Sequence, residues 1–323
     1  PMAWRLRLAP EKTTIDFFRL QWITFGISGV LVVVSLVSFL TLGFNFGIDF
    51  KGGTTIRTES AEPIDVGAFR AALEPLGLGD VTITEVFDPT FGADQHVAEV
   101  RIAAREGEEA VGQATIEEVE RALSAVQPDI RFTSVESVGP KVSGELVQKA
   151  LLAIAAAAIG IGFYIWLRFE WQYSVGTIAA LLHDVIVVAG VFSLFQIKFD
   201  LTIVAALLTI LGYSVNDTVV IFDRLRENLL KYKTMPLRDV MNLSTNETLS
   251  RTVVTAGTTL LALIPLLVFG GDVIRGFIFA MTLGVFFGTY STVYVAKNIV
   301  LWIGLPRGDK AKKSTNEFAD IDA

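Results

Sequence analysis

Six stretches of the chain are apolar over about the 20 residues that a helix needs to cross a bilayer. They cover residues 23–42, 147–167, 175–197, 201–222, 252–270 and 274–297. The first stands alone, and the other five follow one another behind a hydrophilic block, 43–146. Inside that block the period changes. Residues 54–58 are rich in β-branched side chains, and 81–87, 97–102 and 130–138 read as strands. Val66, Phe69, Leu73 and Leu76 recur at helical spacing behind Asp65, and so do Ile116, Val119, Leu123 and Val126. Turn chemistry lies at Asp88-Pro89 and at Gly92-Ala93-Asp94. The order β-α-β-β-α-β is the split βαβ, or ferredoxin-like, pattern. The expected fold is a polytopic α-helical membrane protein of six transmembrane helices, split one plus five, with one ferredoxin-like α+β domain after the first.

Composition agrees with a membrane class: 52% of the 323 residues are hydrophobic and 19% charged. There is no cysteine, so disulfides and thiol chemistry are excluded. Two histidines, His96 and His183, are too few for a histidine metal site, and neither a metal nor a cofactor is expected. Neither end reads as a cleaved secretory signal. Lysine and arginine in the short connections fix an expected orientation. Residues 1–22, the 168–174 turn, an amphipathic loop over 223–251 and the tail 298–323 hold nearly all of them, including Arg5, Arg7, Lys12, Arg307, Lys310, Lys312 and Lys313. The opposite connections hold Lys198 and Arg275. The basic side is therefore expected in the cytoplasm and the block 43–146 outside it.

Against this background the ionisable groups inside the apolar runs stand out, because each costs roughly 2.5–3.5 kcal/mol on insertion scales. Asp217 lies about six residues, roughly 9 Å, from the cytoplasmic end of its span. Arg251 opens the next span with a side chain long enough to reach toward Asp217. His183 and Asp184 lie near mid-membrane in the third. A carboxyl that alternates charge beside a cation is what a proton relay needs. The plainer reading is an Asp–Arg pair that holds helices together. Asn216 joins Thr202, Thr209 and Asp223 in a seven-residue repeat, either a packing face or a wetted stripe toward Asp217. The segment Gly47-Ile-Asp49-Phe-Lys51-Gly52-Gly53 reads as a tight connection, with Asp49 and Lys51 placed to pair locally. It lacks the spacing of a phosphate loop.

Several long motifs are specific. GIDFKGG at 47–53, ESVGPKVSGEL at 136–146, LHDV at 182–185, GYSVNDTVVIFDRLREN at 212–228 and NLSTNETLSRTVVTAGTT at 242–259 resemble the signature stretches of the SecF family. SecF is the smaller subunit of the SecDF accessory complex of the bacterial preprotein translocase. The resemblance runs along nearly the whole chain and implies a multi-pass protein of the bacterial inner membrane. Both termini would be cytoplasmic, the domain 43–146 periplasmic, and the architecture akin to half of an RND transporter. It implies no enzyme. It implies use of the proton motive force to assist preprotein translocation and release, with the Asp of the NDT motif (Asp217) and the Arg of the SRT motif (Arg251) in that role. The implied partners are SecD, the SecYEG channel with YajC and YidC beside it, the translocating preprotein and the lipid bilayer, and no nucleic acid. The alternatives are half of an RND-type small-molecule exporter, or a passive scaffold for SecD and the channel. Sodium in place of the proton stays open.

Overall fold

The computed structural model describes residues 13–86, 91–92, 94–103 and 111–306. The expected turn at Asp88-Pro89, Ala93, and the basic residues of the first 12 positions and of the tail from 307 lie outside the described residues.

Helix α1 (Gln21–Thr41) is followed by a single helical turn, α2 (Ile48–Lys51). The α+β domain then runs β1 (Gly53–Ser60), α3 (Val66–Leu73), β2 (Val81–Val86), β3 (His96–Ala103), α4 (Gln113–Val126) and β4 (Arg131–Val138). Asp65 starts α3 by accepting hydrogen bonds from the amides of Gly67 and Ala68 at 2.8 and 3.1 Å. The sheet is antiparallel in the order β2-β3-β1-β4, which is the ferredoxin-like topology. Because side chains alternate along a strand, Ile56, Val100 and Ile102 turn to one face, where Phe69, Leu73, Val119 and Leu123 close the core. Thr55, Arg57, Glu99 and Glu136 turn to the other and line a cavity of about 500 Å³ together with Lys198, Asp200 and Arg275.

Five long elements complete the chain: α5 (Pro140–Arg168), α6 (Trp171–Leu194), α7 (Leu201–Lys231), α8 (Leu237–Phe269) and α9 (Asp272–Ser291). The last runs through a π-helical turn, Thr292–Ala296, into α10 (Lys297–Ile303). Among the described residues six helical stretches are long and apolar enough to span a membrane, one before the domain and five after it. The spans of α6, α7 and α9–α10 are 61%, 50% and 56% buried, against 17%, 17% and 11% for α1, α5 and α8. The first three therefore form the centre of the bundle.

The helices outrun the apolar stretches. The connection expected as a loop over 223–251 is helical except for residues 232–236, because α7 continues to Lys231 and α8 begins at Leu237. Hydropathy finds the part of a helix that matches the hydrocarbon slab. It does not see Leu225, Val240 and Met241, which hold the polar extensions together by packing into one buried cluster. Likewise α5 begins at Pro140, seven residues before its apolar stretch.

The GIDFKGG segment joins the domain to the bundle. Gly47 N–H donates to Phe199 O, and Phe199 N–H to Asn45 O, both at 2.8 Å, around a Phe46–Phe199 bridge. Asp49 does not pair with Lys51 as expected. Its carboxylate instead accepts the otherwise free amide of Leu201 at the start of α7, at 3.1 Å. Gly52 and Gly53 have φ of 74° and 130°, backbone that favours glycine.

Candidate ion-coupling site

The expected site residues separate into two groups joined by α7. Ser214, Asp217, Thr218 and Ile221 share its buried side. Asp217 is 2% exposed, and neither carboxylate oxygen meets a donor among the described residues. The Arg251 side chain is exposed and lines a cavity of about 400 Å³ with Tyr164, Arg168, Asp223, Arg224 and Glu247. The other two arginines there are engaged. Arg168 lies 3.9 Å from Asp223, and Arg224 reaches Glu227 at 2.6 Å and Glu247 at 2.7 Å. Among the described residues Arg251 forms no ion pair, and no hydrogen bond joins it to the Asp217 carboxylate. The direct Asp217–Arg251 contact expected from the sequence is thus open. From α7 the cavity is lined by Val219, Val220, Asp223, Arg224 and Glu227, and Asp217 is not among its lining residues.

The second group is a closed polar network. Asp184 is fully buried, and His183 Nδ1 lies 3.0 Å from its Oδ1. The other oxygen, Oδ2, accepts hydroxyls from α7 and α9: Ser214 Oγ at 2.7 Å and Ser291 Oγ at 2.9 Å. Gly288 packs against Ser214, since a Cβ there would lie a tight 3.2 Å from Ser214 Cβ and Oγ. One turn on, Thr218 and Thr292 hydroxyls meet at 2.8 Å. Thr292 opens the π-helical turn, a feature frequent at functional sites. So α6, α7 and α9 are tied through one carboxylate, and Ser214 lies only three residues before Asp217. Asn216 does not belong to either group. It is exposed, as are Thr202, Thr209 and Asp223, so the seven-residue repeat marks an outward face of α7. Gly47, Asp49, Lys51, Gly52 and Gly53 lie with the α+β domain, far along the chain from this cluster and at the other end of α7.

Residues 118–305 match the family described as "Protein export membrane protein SecD/SecF, C-terminal", and residues 37–64 match "SecD/SecF GG Motif". "Protein translocase subunit SecF" of Cereibacter sphaeroides is 67% identical over all of both chains, and the protein of that name from Rhodobacter capsulatus is 64% identical over 98% of this chain and 97% of its own. The chain belongs to the SecF family. "Protein translocase subunit SecDF" of Brucella abortus is 38% identical over 93% of this chain, which spans 39% of that longer protein. The crystal structure of SecDF, "a translocon-associated membrane protein", from Thermus thermophilus shares 33% identity at a TM-score of 0.81. It covers 92% of this chain, which again spans only 39% of the solved one. This SecF-family chain is thus a multi-pass membrane protein of a protein-transport family, not of an enzyme family. The GG-motif match falls on the connection that holds the domain to α7.

Sequence reasoning missed Ser214, Ser291 and Thr292. Each is a small hydroxyl in an apolar run, and such residues serve helix packing as readily as a polar network. Lys297 was missed as well. It closes the last expected span, where a lysine normally reaches the headgroups, yet it is 1% exposed.

Proposed function

We propose that this chain is the SecF-type half of a SecD–SecF complex that draws on the proton motive force to help preproteins through the SecYEG channel and away from it. Asp217 is the group that alternates between states, and Arg251 is its counter-charge. The observation that carries this reading is the buried Asp217 carboxylate with no hydrogen-bond donor among the described residues, on the helix that also lines, through Val219 and Val220, a cavity whose one unpaired arginine among the described residues is Arg251. A buried carboxylate is tolerated in a membrane when it is neutral or when an opposite charge reaches it. Binding or losing a proton therefore changes how strongly α7 draws the Arg251 guanidinium across the open gap. One charge falling through about 100 mV releases roughly 2.3 kcal/mol. That is enough to bias two arrangements of α7 and α8 but not to drive a large stroke in a single step. The Asp184 network ties α6 and α9 to the same helix, and Asp49 and Phe199 fasten its far end to the α+β domain. Movement of α7 therefore reaches that domain, and we place the domain in the periplasm in keeping with the positive-inside pattern.

A partner subunit is supported by what the bundle leaves uncovered. The outward face of α7 carries the exposed Asn216, and the span of α8 is 11% buried. Polar groups facing lipid are costly, so a second set of spans belongs there, supplied by SecD. The test is export by membranes carrying the assembled complex. Asp217→Asn should lose the stage that depends on the proton motive force while keeping its partner bound. Normal export by an assembled Asn variant would sink the proposal.

A further inference from the structure

The segment that precedes α1 is strapped to α8 by two asparagine side chains acting as a substitute backbone. Asn246 Oδ1 accepts from Ile15 N–H at 2.8 Å and from Thr13 Oγ1 at 2.7 Å, and its Nδ2 donates to Ile15 O at 2.8 Å. One helical turn earlier, Asn242 Nδ2 donates to the same Ile15 O and its Oδ1 accepts from Phe17 N–H, both at 3.0 Å. The far side of the strap is closed by cations. The Lys297 amine, buried in α10, has no hydrogen-bond partner among the described residues and lies 4.1 Å from the Phe18 ring and 4.9 Å from the Phe17 ring. Arg238 of α8 approaches Phe18 from 5.5 Å and Asp16 from 3.9 Å. Phe17 and Phe18 are 7% and 2% exposed. A desolvated ammonium over aromatic faces is a strong form of the cation–π contact.

The strap acts on the helix that carries Arg251. Every buried residue of α8 lies between Val240 and Ala256, so the rest of the helix has no buried anchor. That buried stretch begins with Val240, Met241, Ser244, Thr245 and Asn246, and the strap takes hold there, on the N-terminal side of Arg251. Arg251 follows Asn246 by five residues on one unbroken helix, about 7.5 Å along the axis.

We propose that residues 13–18 form a clip that holds α8 to α10, and that Asn242, Asn246 and Lys297 are positioning residues that set where Arg251 stands relative to Asp217. The importance of that position rests on the function proposed above, whereas the clip itself does not. Contacts to backbone make the fastening independent of most side chains in the strap, so it is read from Asn242 and Asn246 and not from the strap sequence.

The test uses the whole chain, assembled with its partner in membranes. The native absence of cysteine lets introduced thiols be read alone. Spin labels at the exposed positions Leu230 and Val254 report the spacing of α7 and α8. In Asn242→Ala/Asn246→Ala the distance distribution should broaden about twofold, as expected for a helix freed to sample a second position. Lys297→Met should broaden it less. Export driven by the proton motive force should fall about tenfold, the scale of loss that a small misplacement produces. Thr13→Cys/Asn246→Cys, closed with a short cleavable thiol linker, should restore export and lose it again on cleavage. An unchanged distribution in the double-alanine variant would overturn the clip. A broadened distribution with full export, or no recovery on closing the linker, would overturn its role in placing Arg251. Asp217→Asn is measured beside these variants: if it exports normally, the ion-coupling reading fails while the label distances still decide the clip.

Discussion

Replacing Gly190 by alanine should loosen α1 from the bundle. The buried residues of α1 are Ser28, Ser35 and Ser38, while Val30, Val33, Val34, Leu36, Val37 and Leu40 face outward. Its seam against α6 is therefore made of small side chains, the arrangement that lets membrane helices approach closely. A Cβ at Gly190 would lie 2.0 Å from Ser35 Oγ, 2.4 Å from Ser35 Cβ and 3.0 Å from Ser35 Cα. Turning the hydroxyl aside relieves only the first of these, so the helix itself must retreat by about 1 Å in a close-packed interior. That retreat also strains the Ser38–Ser193 contact at 2.8 Å, and with it the bond from Ser193 Oγ to Gly43 O at 2.6 Å. Overpacking of this kind costs about 1–3 kcal/mol, and the lost interhelical bond adds about 0.6 kcal/mol. The assay is thermal unfolding of the purified chain in one detergent, compared across Gly190→Ala, Ser35→Gly and the double variant. The single alanine should lower the midpoint. The double variant should recover at least half of the loss, giving a coupling between touching residues of about 0.5–3 kcal/mol. A wild-type midpoint for Gly190→Ala, or no recovery in the double variant, would refute the serine seam.

Asp49→Ala removes the cap that the GIDFKGG segment supplies to Leu201 and should cost about 1 kcal/mol. Faster hydrogen exchange at the Leu201 amide would register it, and unchanged exchange would count against the link. Asp129 accepts from Ser60 Oγ at 2.7 Å and from Ala61 N–H at 2.9 Å. The Ser60 bond chiefly holds its carboxyl below the usual carboxylate range. Its stabilising contribution is therefore present above that range and lost as pH falls through the lowered value. Protection of the Ala61 amide should drop in that acid window in the native chain, and should be weak and insensitive to pH there in Asp129→Asn.

Much of the architecture was legible because each signal had one physical cause. Alternation in 97–102 and β-branched side chains in 54–58 marked strands, and their succession with two helical patterns gave the ferredoxin-like order. The apolar runs fall within the long helices but do not mark their ends, since Leu225, Val240 and Met241 extend α7 and α8 by packing that a hydropathy window averages away. At the site, Asp217, His183 and Asp184 were readable as ionisable groups where such groups are costly. Their partners were harder to read. Depth along the chain placed Arg251 at a compatible level, but reach is not contact, and its guanidinium lies at the cavity. Asn216 shares a period with three polar residues, and that period turned out to mark the outward side of α7. Ser214 and Ser291 carry no charge to draw notice, although they hold Asp184. Asn242 and Asn246 gained meaning only when the strap was seen across them.

The central claim is that Asp217 takes up and releases an ion as the complex works. The direct measurement is ion flux through vesicles carrying the purified complex, with wild type and Asp217→Asn compared under a proton gradient and under a sodium gradient. The account predicts flux down the proton gradient by wild type, loss of that flux in the Asn variant, and no dependence on sodium. Equal proton flux by both proteins at equal incorporation would contradict it, and flux that follows sodium alone would replace the proton with a different ion at the same carboxylate.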